Sequence, residues 1–321
     1  METAERPPKT IALDSRYSTA RHLNTLRPPL LTNSPDNKIQ FSLFSTSNAP
    51  EKIDGGLRCS GYFKYNLPDH PLITVVTVVY NGEKYLEQTI QSVINQSYDA
   101  VEYIVIDGGS TDGTLDIIRQ YDALIDYWVS ESDKGIADAM NKGVSFATGE
   151  YIVFINSDDF LYNVNSLEVA ASFLDNNYMI FSFDILYGSN LVRLSSRGFN
   201  FWLNFRNGIL HQGVVCSRLL FNMVGYFDEQ LEISMDYDFF LRAYYNRFKL
   251  KKIKTVLSVM RDTGLSSQKD WQSLVLRFNE DKLVQHRMIQ NSNTKVFNKF
   301  FWFFYMPYRK IKFLFAERFG K

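Results

Sequence analysis

Four apolar, β-branched runs, each followed by a polar turn and three of these turns rich in acids, constrain this chain more than any other feature. They lie at 72–79, 101–106, 125–129 and 151–155. Runs with so little polar alternation suit strands buried on both faces of a parallel sheet. Between them, Leu86, Ile90, Val93 and Ile94 share one face of a helix predicted over 82–96. Leu115 and Ile118 belong to a second helix, and Ile136, Met140, Val144 and Ala147 fall in register on a third over 136–147. Asn81, and Ser110 or Thr111, are the expected helix caps. Strands alternating with amphipathic helices imply right-handed βαβ units. Ligands of such sheets sit beyond the carboxyl ends of the strands.

Those ends are where the carboxylates cluster. The first run ends in Tyr80-Asn81-Gly82, the second in Asp107-Gly108-Gly109-Ser110-Thr111-Asp112-Gly113. The third ends in Ser130-Glu131-Ser132-Asp133-Lys134-Gly135 and the fourth in Asn156-Ser157-Asp158-Asp159. One such acid alone reads as a solvated loop residue or a helix cap. Four successive strands delivering acids to one sheet edge read as a ligand site. Adjacent carboxylates repel, so Asp158-Asp159 suits a hard divalent cation. Magnesium takes few protein carboxylates and fills its shell with phosphate oxygens, which points to a diphosphate-bearing ligand. The turn at 107–113 matches neither G-x-G-x-x-G nor the P-loop pattern. Asp107 is placed to accept a hydrogen bond from a base or a ribose, or else it merely closes a tight turn.

Together these segments resemble glycosyltransferase family 2. The resemblance rests on 72–82 (LITVVTVVYNG), 104–114 (IVIDGGSTDGT), 130–143 (SESDKGIADAMNKG) and 149–159 (GEYIVFINSDD). More thinly, His211-Gln212, 225–229 (GYFDE) and 235–242 (MDYDFFLR) look like acceptor-side motifs. The resemblance implies a GT-A fold: an α/β, Rossmann-like, mainly parallel sheet with flanking helices, an acceptor-side α+β region and C-terminal helices. It implies inverting transfer of a sugar from a nucleotide-diphosphate donor, with Mg2+ or Mn2+ as cofactor. By position, Tyr80, Asp107 and Gly108 would hold the nucleoside, with Asp133 and Lys134 by the ribose and diphosphate. Asp158 and Asp159 would be the metal-binding carboxylates, Asp159 the more direct ligand, and Asp236 the general base. His211 and Asp238 fall on the acceptor or diphosphate side. Three positions depart from the pattern: Asn156 opens the metal motif in place of an acid, Ala137 replaces a common aromatic, and Met235 precedes Asp236 where some relatives have Glu. A non-catalytic nucleotide-sugar-binding protein is the alternative function. A nucleotidyltransferase would want a basic Gly-rich loop where Tyr80-Asn81-Gly82-Glu83 stands.

Three divisions follow. Residues 1–68, rich in Pro, Ser, Thr and Asn, read as a flexible or loosely docked arm. Residues 69–265 form the transferase domain, with a nucleotide-sugar half (69–160) and an acceptor half (161–265). There, a helix is expected near 165–175, strands at 179–187, 191–196 and 252–259, and a helix over 236–247. A C-terminal helical segment (266–321), starting with a long helix near 269–290, is the third part. From Lys295 on it carries seven basic residues against Glu317 alone, among Phe297, Phe300, Phe301, Trp302, Phe303 and Phe304. Too short to span a bilayer, it reads as an interfacial anchor or as a helix packed on the domain, bent at Pro307. No supporting motif favours nucleic acid. The 35 basic residues balance 35 acidic ones, so net charge selects no polyanion. Cys59 and Cys216, far apart, form no metal pattern and fit a reducing compartment. With no apolar leader or spanning run, the expected location is cytoplasmic, peripheral on the inner face of the membrane, acting on a saccharide or lipid-linked saccharide.

Overall fold

The computed structural model describes residues 10–23, 52–67, 69–264 and 270–319. Along the chain run β1 (Ile53–Gly55), β2 (Ile73–Val79), α1 (Leu86–Ile94), β3 (Val101–Asp107), α2 (Thr114–Gln120), β4 (Tyr127–Ser130), α3 (Ile136–Phe146) and β5 (Tyr151–Phe154). Then come β6 (Phe160–Leu161), α4 (Ser166–Ala171), β7 (Ile180–Tyr187), β8 (Val192–Leu194), β9 (Val214–Ser217), α5 (Arg218–Val224), α6 (Met235–Tyr245), β10 (Leu250–Met260), α7 (Trp271–Met288) and α8 (Ser292–Phe319). The strands join in one sheet, ordered β1-β4-β3-β2-β5-β9-β7-β10-β6, with β8 on β7. Its centre, β4-β3-β2-β5, is parallel. The β5–β9 and β9–β7 pairs are antiparallel.

Every residue of β2, β3, β4 and β5 is buried, as the unbroken apolar runs require. Alternate side chains feed two cores. Val76, Val78, Ile104 and Ile106 pack with Met140 and Val144 of α3 and with Phe221, Phe239 and Val284. Val75, Tyr103 and Val105 pack with Leu86, Ile90 and Val93 of α1 and with Leu167 of α4. Helix α3 lies tight on β2 at Gly143, where a Cβ would stand 2.3 Å from Val76 Cγ1.

Two expectations need correcting. Residues 10–23 and 52–67 are built into the body. Strand β1 pairs antiparallel with β4, Lys64 Nζ meets Asp126 at 2.7 Å with both side chains buried, and Arg58 pairs with Glu102. Burial of such charges is tolerable only with a partner. Upstream, Ser18, Thr19 and Ala20 are buried, and Ser18 Oγ donates to the carbonyls of Val93 and Ile94. The rest of the expected arm lies outside the described residues. Asn81 is no helix cap: at φ 51° it sits in the left-handed region, and its Oδ1 accepts the Thr111 amide at 2.9 Å. Helix α8 continues through Pro307.

Candidate active site

The parallel strands deliver their carboxyl ends side by side, and short loops lock them together. Asn81 N donates to Ser110 Oγ, Gly82 N to Thr114 Oγ1, and Gly113 N to Glu83 Oε2, all within 2.8 Å. Asp107 is fully buried. Its carboxylate accepts Ser110 N, Ser110 Oγ and Ser130 Oγ. Tyr80 stands beside it, 65% exposed. Gly108 lies close under Asp133: a Cβ there would stand 2.5 Å from Asp133 Oδ2 and displace that carboxylate. Burial pushes the half-buried Asp133 carboxyl above its usual range, with a smaller push from the charge of Asp107. Lys134 is exposed and reaches Glu229 at 3.6 Å.

The fourth strand end divides two adjacent acids. Asp159 is 2% exposed; its Oδ1 accepts the Arg261 amide at 3.0 Å, and Gln212 also bonds its carboxyl. Burial, then the neighbouring Asp158, raises its pKa well above the ordinary value. Asp158 is only half-buried, with Oδ2 accepting Thr263 Oγ1 at 2.9 Å. The carboxylate expected as the more direct metal ligand, Asp159, is thus the buried one, bonded to the Arg261 amide and Gln212, and Asp158 is the more exposed of the pair. Arg261, between the rings of Tyr85 and Phe160, also donates to the Asp158 carbonyl. Nothing in the sequence marked Arg261, because it follows an ordinary strand a hundred residues away.

Asn156 links this edge to the acceptor half. Its Nδ2 lies 3.5 Å from His211 Nε2, and His211 Nδ1 lies 3.5 Å from Asp236 Oδ2. Asp236 occupies the first turn of α6. Its Oδ1 accepts the Tyr237 amide at 2.6 Å and its Oδ2 accepts Asn207 Nδ2 at 3.2 Å. Behind His211 and Asp236 is a small apolar cavity lined in part by Phe154, Phe221 and Phe239. Asp238 is turned away and paired with Arg242 Nε at 2.8 Å, while Arg242 also binds the carbonyls of Val224, Gly225 and Tyr226. That placement corrects the acceptor-side expectation for Asp238, which instead braces the loop before Phe227.

Among the described residues no three His, Cys, Asp or Glu gather to hold a metal. The site nevertheless fits a divalent ion with few protein ligands. Asp158 is accessible, and the neighbouring Asn156 Oδ1 is a buried oxygen with no hydrogen-bond partner. An oxygen left this way is costly unless something accepts it as a ligand.

Residues 74–227 match the model of glycosyl transferase family 2. A PGL/p-HBAD biosynthesis glycosyltransferase of Mycobacterium bovis is 31% identical over 186 residues, covering 55% of this chain and 71% of that protein. The chain belongs to glycosyltransferase family 2. TuaG of Bacillus subtilis, a glycosyltransferase named for teichuronic acid biosynthesis, is 39% identical over 116 residues, or 35% of this glycosyltransferase and 46% of TuaG. In the solved mannosyltransferase PcManGT of Pyrobaculum calidifontis, bound to GDP-Man and Mn2+, the fold recurs with a TM-score of 0.50 at 21% identity. The match covers 66% of this chain and 64% of that one. The GT-A fold expected from the motifs is thus the fold observed.

Proposed function

We propose that this glycosyltransferase moves a sugar, with inversion, from a nucleotide-diphosphate donor to a hydroxyl of a lipid-linked saccharide in surface polysaccharide synthesis. The carrying observation is the Asn156–His211–Asp236 line, which sets a half-buried carboxylate beside the loop of Asp158. Asp236 takes the proton of the acceptor hydroxyl as its oxygen bonds to the anomeric carbon and the bond to the diphosphate breaks. His211 and Asn207 orient that carboxylate. Asp158, with Asn156 Oδ1, would hold Mg2+ or Mn2+, which neutralises charge on the departing diphosphate. Tyr80 offers its ring to the base, and Asp133 and Lys134 lie where the ribose and diphosphate would pass. Asp107 acts from behind, shaping the loop at Gly108. The mannosyltransferase bound to GDP-Man and Mn2+ supports the donor class, and the name of TuaG supports the surface-polymer class.

The acceptor assignment also draws on α8. Phe301, Trp302 and Tyr305 pack inward on Phe205 and Phe278. Outward stand Val296, Phe297, Phe300, Phe303, Phe304, Tyr308, Ile311, Leu314 and Phe315, each at least half exposed. At 100° per residue these fall on one arc opposite Trp302, with Lys299, Lys310 and Lys312 at its margins. No described helix is long and apolar enough to cross a membrane. A continuous apolar face with basic edges suits the interface of an anionic bilayer, which also keeps a lipid-linked acceptor within reach. Free Cys59 and Cys216 fit the cytoplasmic side.

A donor screen tests the reading. Melting is followed with UDP-, GDP- and dTDP-sugars, with and without manganese. One sugar nucleotide should raise the melting temperature, and more so with the metal. No stabilisation by any of them would end it.

A further inference from the structure

A second set of acids lies behind Asp236, on α7 and outside the segment that matches the family model. Glu280 and Asp281 are both nearly buried, at 8% exposure each. The Glu280 carboxylate accepts three successive backbone amides, from Glu232 at 2.8 Å, Ile233 at 2.9 Å and Ser234 at 2.8 Å. Asp281 accepts the Ser234 hydroxyl at 2.8 Å. Ser234 immediately precedes α6, and its carbonyl accepts the helix's Asp238 amide. One turn further along α7, Gln285 donates to the Tyr237 hydroxyl and accepts Asn298 Nδ2 and Trp302 Nε1 of α8 at 2.7 Å.

We propose that Glu280 and Asp281 are positioning residues that hold the start of α6, and so set where the Asp236 carboxylate meets the acceptor hydroxyl. The inference rests on the reading of Asp236 as the base. Two adjacent buried acids beside a third are an expensive way to hold a helix, because apolar packing would do it with less desolvation. What the acids add is direction. Three fixed amides fix the backbone one residue before Met235, and placement errors near 1 Å at a catalytic group cost about 100-fold in rate. Burial, and next the charge of Asp236, pushes Asp281 up to about 7, against the pull of Arg277 and with a further push from Glu280. That upward push lessens the negative charge Asp281 places behind Asp236.

The test compares Glu280→Gln, Asp281→Asn, Asp281→Leu and Asp236→Asn in the full chain. The readout is release of nucleoside diphosphate from the sugar nucleotide found in the melting screen, with circular dichroism to score folding. Glu280→Gln should lower kcat about 100-fold with the donor KM within twofold, since only alignment of the base is lost. Asp281→Asn, which keeps an acceptor for Ser234 Oγ, should stay within threefold of the parent at pH 7, while Asp281→Leu should fall with Glu280→Gln. Folded Glu280→Gln with parental kcat would overturn the proposal. If that variant does not fold, equal kcat for Asp281→Asn and Asp281→Leu would overturn it instead. Turnover surviving in Asp236→Asn would remove the base itself, a separate failure.

Discussion

The surroundings of Asp107 and the surroundings of Asp236 are assembled by different rules. Around Asp107 and Gly108 the contacts are local: loops at 80–83 and 108–114 clasp each other across adjacent strands. Around Asp236 they come from two places. His211 and Asn207 reach it from one loop, while Glu280 and, through Tyr237, Gln285 hold its helix from α7, farther along the chain. A site built from neighbouring strand ends can be written in short motifs. A site held by remote helices cannot, and its function should then be sensitive to substitutions far from the chemistry.

The sharpest contrast should come from Asp236→Asn. It removes the proton acceptor and leaves the donor half intact. Turnover should fall roughly 10³-fold, within the range for general base catalysis, while sugar-nucleotide binding by calorimetry stays unchanged. Lost binding would mean that the halves are not separable.

The outward face of α8 gives the next effect. Deleting 296–321 would also strip Trp302 from Gln285, so surface substitutions are cleaner. Phe300→Glu with Phe304→Glu should lower partitioning onto anionic vesicles by about 100-fold or more, each ring contributing about 1.5–3 kcal/mol of burial. The melting temperature should hold, because both rings are exposed. Unchanged sedimentation with vesicles would leave α8 as packing alone.

A smaller effect is thermodynamic. Burial pushes the Asp281 carboxyl up to about 7 in the fold, from 3.8 for the free side chain. The folded chain therefore keeps a proton that the unfolded chain releases. Stability from this group falls as pH rises from about 4 to about 7 and then levels. Between pH 5 and 8 the loss should be about 2–3 kcal/mol in the parent, and Asp281→Asn should flatten it. Parallel denaturation curves for the two proteins would refute the burial argument.

Legibility followed the same divide. The apolar runs gave β2, β3, β4 and β5 nearly to the residue, because strands buried on both faces have no alternation to confuse. The polar, three-residue β1 carried no such signal, and β9 passes into α5 without a turn to mark it. The Asp158-Asp159 pair was visible, but which acid faces outward depended on Arg261 and Gln212. Nothing in the sequence set Glu280 and Asp281 apart on their long helix. Their burial is explained by the amides and the Ser234 hydroxyl before α6 that they accept.

In the proposed reaction Asp158 holds the metal at the donor diphosphate, while Asp236 takes the proton of the acceptor hydroxyl. Manganese-dependent stabilisation by the sugar nucleotide, measured by melting for the parent, Asp158→Asn and Asp236→Asn, tests this division of roles most directly. Asp158→Asn should abolish the manganese increment, and Asp236→Asn should keep it. An increment that survives in Asp158→Asn would contradict the account.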